Sequence, residues 1–233
     1  MDSGHDAAPM TGREQPSRDE VLSHERLAIV QNNLAQTMLG KLRDRRTDVA
    51  AFNAIAAELA RLVVYEACRD IRLATKWAEG FDGSPIDVPI PARTLAGVTV
   101  LRAGLIFEPA FRLLLPTSPL YQLGLRRNEE TLEPEIYATN LPQEDNWADR
   151  VLLVDPMLAT GGTATAAIEA IRQHHRGRID ALCIVAAPYG VKAVTDYDRD
   201  TWITTLALDN RLNEIGYIVP GLGDAGDRYF GTI

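Results

Sequence analysis

Cysteine is scarce in this sequence. Cys68 and Cys183 are the two in 233 residues, and no CxxC pair occurs. That excludes a disulfide framework. Cys183 lies inside the apolar run ALCIVAAP and reads as a buried free thiol, which fits a reducing cytoplasm. Long hydrophobic runs are missing too: no stretch of eighteen apolar residues occurs, so no membrane span is expected. The opening MDSGHDAAPMTGREQPSRDE holds no apolar stretch suited to a signal peptide. It is polar and carries Pro and Gly, so residues 1–20 are expected to form a disordered tail and 21–233 a single domain. Positive charge is in deficit, with 24 Lys+Arg against 32 Asp+Glu and a net charge of −8. A global nucleic-acid surface is therefore not expected, although a small basic pocket is compatible with that balance.

The remainder is ordinary globular composition, 46% hydrophobic and 24% charged, without internal repeats. From Ser23 to about Leu73 the pattern is helical, with Ile55, Leu59, Leu62 and Val63 at helical spacing and Thr47-Asp48 able to cap the start. Strand signals follow in GVTVLRAG, SPLYQLGLRR, RVLLVD, DALCIVAAP and TWITTLALD. Helical stretches fall near 105–115, 163–174 and 190–197. This alternation predicts an α/β domain with a largely parallel sheet flanked by helices. Turn residues around a short alternating run at 130–142 predict a hairpin or flap outside the main sheet. His174-His175 are neighbours in sequence and so do not share a helix face; they read as a helix end rather than a metal site.

The stretch VLLVDPMLATGGTATAAI, residues 151–168, carries the strongest local signal. Its near-continuous apolar run is that of a strand buried on both faces. Asp155 comes at the C-terminal end, the edge where open α/β sheets bind ligands. Pro156 ends the ladder by removing a donor. Ala159 to Thr163 can then wrap an anion: Gly161 and Gly162 let amides converge, Thr160 and Thr163 add hydroxyls, and the next helix offers its free N–H groups. GxxxxGK[ST] needs a Lys that is absent here, so a P-loop is disfavoured. Near the C-terminus GLGDAG, Gly221 to Gly226, spells GxGxxG, but Pro220 precedes it and only seven residues follow. A dinucleotide site needs that motif to open a helix within a βαβ unit. What remains is a Gly-rich loop able to approach a flat polar ligand closely.

Five segments taken together resemble uracil phosphoribosyltransferases: LRDRRT (42–47), VLRAGL (100–105), RRNEETLEP (126–134), VDPMLATGGT (154–163) and LNEIGYIVPGLGDAGDRYFGT (212–232). The resemblance runs from about residue 40 to the C-terminus. It implies a type I phosphoribosyltransferase fold, with a β-hairpin flap and a C-terminal base-binding segment. It also implies a pentosyltransferase that joins uracil to 5-phospho-α-D-ribose 1-diphosphate (PRPP), giving UMP and diphosphate in pyrimidine salvage. By resemblance, Asp155 contacts the ribose hydroxyls, and Pro156, Met157, Leu158, Ala159, Thr160, Gly161, Gly162 and Thr163 surround the 5′-phosphate. Arg102 and Arg127 meet the diphosphate and PRPP, and with Asp155 form the candidate catalytic set. Ile218, Gly223, Asp224 and Ala225 read uracil, largely through backbone atoms, and Asp224 also lies near PRPP. Mg²⁺ is expected to arrive with PRPP rather than in a protein cage. GTP as an effector and a homo-oligomer, dimer or tetramer, are further implications; nucleic-acid and membrane partners are not.

The sequence departs from the family pattern at Arg126, Ile106-Phe107-Glu108, Tyr189 and Asn210-Arg211, through 77–91, and before residue 40. Another base on the same fold, an RNA-binding regulator and a catalytically silent homologue stay open as alternatives. The net charge counts against the second, and the intact Asp155, Arg102, Arg127 and Asp224 against the third.

Overall fold

The computed structural model describes residues 15–127 and 134–232. The chain begins with α1 (Arg18–Leu22), β1 (Leu27–Ile29), α2 (Asn33–Arg43) and α3 (Val49–Ala67). A two-stranded antiparallel arm follows, β2 (Leu73–Glu79) and β3 (Pro85–Pro91). Then come β4 (Leu95–Leu101), a 3-10 turn over Ala103–Phe107, α4 (Glu108–Leu114), β5 (Leu120–Arg127), β6 (Pro134–Thr139), β7 (Arg150–Val154) and β8 (Met157–Leu158). The last part holds α5 (Gly162–Arg172), β9 (Arg178–Ala186), α6 (Pro188–Tyr197), β10 (Trp202–Leu208), β11 (Arg211–Leu212), β12 (Ile218–Val219) and α7 (Ala225–Phe230).

The main sheet runs β1-β10-β9-β7-β4-β5-β6, with β8 also paired to β9. Every pairing is parallel except β5 with β6. β7 is buried along its whole length, as its unbroken apolar run requires. Its alternate residues feed two cores: Leu152 and Val154 join the α2, α3 and α4 side, and Val151 and Leu153 join the α5 and α6 side. α3 begins where Asp48 accepts the Ala51 amide at 2.8 Å, the cap expected from sequence. Its Phe52, Leu59 and Val63 are fully buried, each contributing roughly 1.5–3 kcal/mol.

Three expectations need correction. The helical reading from Ser23 to about Leu73 misses β1, whose Leu27, Ala28 and Ile29 pair with Ile203, Thr204 and Thr205. Three residues are too few to show a period, and their partner strand is distant in sequence. The flap expected outside the sheet at 130–142 is instead its edge, since β6 pairs with β5; residues 130–133 lie outside the described residues. The arm that does leave the sheet is β2–β3. Part of the tail expected over residues 1–20 is folded. Residues 1–14 lie outside the described residues, but Gln15 and Arg18 bond Leu212 and Leu208, and α1 starts at Arg18.

Candidate active site

β7 ends at Val154, and the chain turns at once. The Met157 amide donates to Asp155 Oδ1 at 3.2 Å, closing the turn, and β8 then pairs with β9. Asp155 is half-buried at the C-terminal end of the sheet, beside a pocket lined by Met157, Ala159, Thr160, Gly161 and Thr163. Burial raises its carboxyl to about 7, and the nearby Asp224 charge pushes the same way, while the Met157 amide opposes both. Cys183 is buried in the wall of that pocket, and burial pushes its thiol up to about 12. That is an inert thiol, as the sequence predicted.

The loop holds its shape through glycine. Gly161 has φ +83°, and a Cβ there would sit 2.6 Å from the Cβ of Ala193 on α6. Gly190 reciprocates, since its Cβ would come within 2.7 Å of the Leu158 and Ala159 carbonyls. The loop is thus pressed onto the start of α6, with Gly161 as N-cap residue of α5.

The C-terminal segment closes the other side. Asn213 to Tyr217 turn tightly between β11 and β12, with Asn213 Oδ1 accepting from Ile215 and Tyr217 at 3.2 and 2.8 Å. Gly216 lies over the phosphate-type loop, where an added Cβ would be 3.4 Å from Thr160 Cγ2. The Ile218 side chain is buried in the core, which leaves its backbone for any ligand. Gly221 and Gly223 have φ +61° and +71°. Asp224 caps α7 by accepting the Asp227 amide at 2.8 Å, and Ala225 is fully buried. The start of α7 rests against Ala103, next to Arg102.

Arg102 follows β4, and its guanidinium donates to Asp227 at 3.1 Å while lying 5.5 Å from the Phe230 ring centre. Its side chain is 57% exposed, so it is held at one end of the site with donors to spare. Arg127 ends β5; its side chain lies outside the described residues. The folded chain therefore brings Asp155, the 156–163 loop, Arg102, Ile218 and Gly223–Ala225 to one edge of the sheet.

Sequence reasoning missed the residues that hold this edge together. Arg43 grips Asp209 with both nitrogens, at 2.7 and 2.6 Å, and the Gly221 amide and carbonyl join the same cluster at 2.9 and 3.1 Å. Arg228 is buried over Phe52 and donates to the carbonyls of Leu42, Leu222 and Asp44. Two signals were available: Asp209 ends its strand as Asp155 does, and Arg43 lies inside LRDRRT. The departures at Ile106 and Phe107 are core residues, fully buried, and Glu108 pairs with Arg112 at 2.9 Å.

Comparison with known proteins decides the family. The family model described as uracil phosphoribosyltransferase matches residues 29–232. The chain belongs to the uracil phosphoribosyltransferase family. A uracil phosphoribosyltransferase of Deinococcus radiodurans is 42% identical over 212 residues, 88% of this chain and 98% of the relative. One of Lacticaseibacillus paracasei is 42% identical over 207 residues, 89% and 99% of the two chains. Among solved structures, the AQ2163 protein of Aquifex aeolicus superposes with a TM-score of 0.80 at 34% identity, covering 88% of this chain and 97% of that one. An adenine phosphoribosyltransferase of Leishmania donovani, 16% identical, reaches a TM-score of 0.52 over 77% and 81% of the chains and shares the fold. The sheet flanked by helices is thus the type I phosphoribosyltransferase fold, and the family makes the chain a glycosyltransferase. Among the described residues no helix is long and apolar enough to cross a membrane.

Proposed function

We propose that this chain transfers the 5-phosphoribosyl group of PRPP to uracil. The observation that carries the reading is the meeting of two segments distant in sequence: Gly216 against Thr160, with the Asp224 charge acting on Asp155. The amides of Met157–Thr163 and the hydroxyls of Thr160 and Thr163 hold the 5′-phosphate, and Asp155 accepts from the ribose hydroxyls. Arg102, with Arg127, holds the diphosphate in a planar fork of donors. Ile218 and Gly223–Ala225 present backbone groups to the base, so a wrong base leaves buried groups unpaired.

The bond from C1′ to the diphosphate oxygen breaks with its electron pair leaving on the diphosphate, the bond from C1′ to the uracil nitrogen forms, and the proton of that nitrogen is released to solvent. Charge leaves the sugar with the diphosphate, so the chain's work is positioning and stabilising the departing charge. Among the described residues no group of three or more His, Cys, Asp or Glu is placed to hold a metal ion. Mg²⁺ carried on the oxygens of PRPP would neutralise part of the diphosphate charge.

Cytoplasmic placement belongs to the same reading, supported by two free cysteines. So does self-association, supported by the exposed Leu73, Trp77, Phe81 and Ile86 of the β2–β3 arm. GTP as an effector rests on the resemblance. Chromatographic detection of UMP from uracil, PRPP and Mg²⁺ tests the reading. UMP formation supports it; PRPP binding without UMP overturns it.

A further inference from the structure

The base-reading segment hangs from β11 and β12, a ribbon with two residues in each strand, and a two-stranded ribbon alone is marginal. Leu212 pairs with Ile218, but its own N–H and C=O turn outward. Outward backbone groups on an edge strand need partners. Here one side chain supplies both: the Leu212 amide donates to Gln15 Oε1 at 2.9 Å, and Gln15 Nε2 donates to the Leu212 carbonyl at 3.1 Å. A carboxamide carries one acceptor and donors in the same plane, so it stands in for the peptide of a third strand.

Three residues on, Arg18 Nε donates to the Leu208 carbonyl at 3.1 Å. Leu208 and Leu212 bracket the connection from the main sheet to the ribbon, which contains Asp209, the partner of Arg43 and Gly221. The segment is itself anchored. Ser17 caps α1 through the Glu20 amide at 3.2 Å, Val21 is buried, and α1 packs on α6. All of it precedes residue 29, where the family match begins.

We propose that Gln15–Leu22 is an added strap that sets the position of the base-reading ribbon, with Gln15 as the positioning residue. The inference rests on the proposed transfer to uracil. Gln15 touches no substrate; it fixes Leu212, Leu212 fixes Ile218, and Ile218 presents its backbone to the base. Its loss is expected to weaken uracil binding while leaving the PRPP side, carried by 155–163 and Arg102, as it was.

The test compares the full-length chain with Gln15→Ala and Gln15→Glu, the second keeping the acceptor while losing the donor. Steady-state rates with uracil and PRPP varied separately are read beside hydrogen exchange at the Leu212 amide. The expected result for Gln15→Ala is a uracil KM raised about 3- to 10-fold, with kcat and the PRPP KM within about twofold. Exchange at Leu212 speeds up in the same variant. Gln15→Glu sets a second acceptor against the Leu212 carbonyl and raises the uracil KM at least as far as Gln15→Ala. A uracil KM unchanged in Gln15→Ala, or one raised only together with the PRPP KM, overturns the proposal. Leu212 exchange identical to the unaltered chain also overturns it. Absence of UMP formation by the unaltered chain would instead overturn the functional reading, and this proposal with it.

Discussion

Arg43 and Asp209 form a bidentate ion pair, at 2.7 and 2.6 Å, between the end of α2 and the end of β10. The Asp209 carboxylate is buried and also accepts the Gly221 amide at 2.9 Å, so the pair carries the base-reading loop with it. Lysine cannot reproduce the fork. Arg43→Lys is expected to cost about 1–3 kcal/mol of stability and Asp209→Asn about the same, while Arg43→Ala costs about 3–5 kcal/mol by leaving Asp209 unpaired. Denaturant melts of the three variants check the ranking. Arg43→Lys as damaging as Arg43→Ala would mean that the charge contributes nothing here.

Asp155 titrates unusually high, at about 7, because burial opposes its charge. Its folded value lies above the unfolded value near 3.8, so the folded chain binds the extra proton between the two. Stability from this group is therefore present at low pH and lost as pH rises toward 7. Asp155→Asn removes the half-buried charge and is expected to be more stable than the unaltered chain at pH 8, by about 1–3 kcal/mol, with the gap narrowing toward pH 5. The unaltered chain is expected to show an inflection near pH 7 in its kcat/KM for PRPP. Thermal melts across that range check the first statement and pH–rate profiles the second.

Gly161 is the loop position least able to accept a side chain, with φ +83° and Ala193 in the way. Gly161→Ala is expected to cost about 1–3 kcal/mol and to raise the PRPP KM at least about tenfold. Because Gly161 faces α6 rather than the base ribbon, the uracil KM should move less. Parallel titrations of the two substrates settle the order.

Arg102 is exposed, and its contact with Asp227 is a surface ion pair that contributes less than about 1 kcal/mol. Arg102→Ala should therefore melt close to the unaltered chain while kcat/KM falls about 10²- to 10³-fold. Arg102→Lys should recover little of it, since the planar fork is lost. A large drop in melting temperature with a small kinetic effect would assign Arg102 to structure.

Much of the site was legible in local sequence because its chemistry is local. An apolar run ending in Asp155, then Pro156 and two glycines before a helix, describes β7, the turn and the start of α5 almost residue for residue. GLGDAG could be refused as a dinucleotide motif because Pro220 stands immediately before it, where a strand should run straight into the loop. What escaped was what depends on distant partners. β1 is three residues long and is a strand only because β10 is beside it. β6 joins the sheet only by pairing with β5. Arg43 with Asp209, and Arg228 with the Leu42 and Asp44 carbonyls, are charges whose meaning comes from what the fold places opposite them. The same holds for Gln15, which in sequence sits in a polar, Pro-containing stretch.

The most direct measurement is the initial rate of nucleotide formation from PRPP and Mg²⁺ with uracil, cytosine, hypoxanthine and orotate in turn, for the unaltered chain and Asp155→Asn. Turnover is expected with uracil alone, collapsing in the variant even though the variant melts higher at pH 8. Comparable turnover with a second base, or full activity in Asp155→Asn, would contradict it.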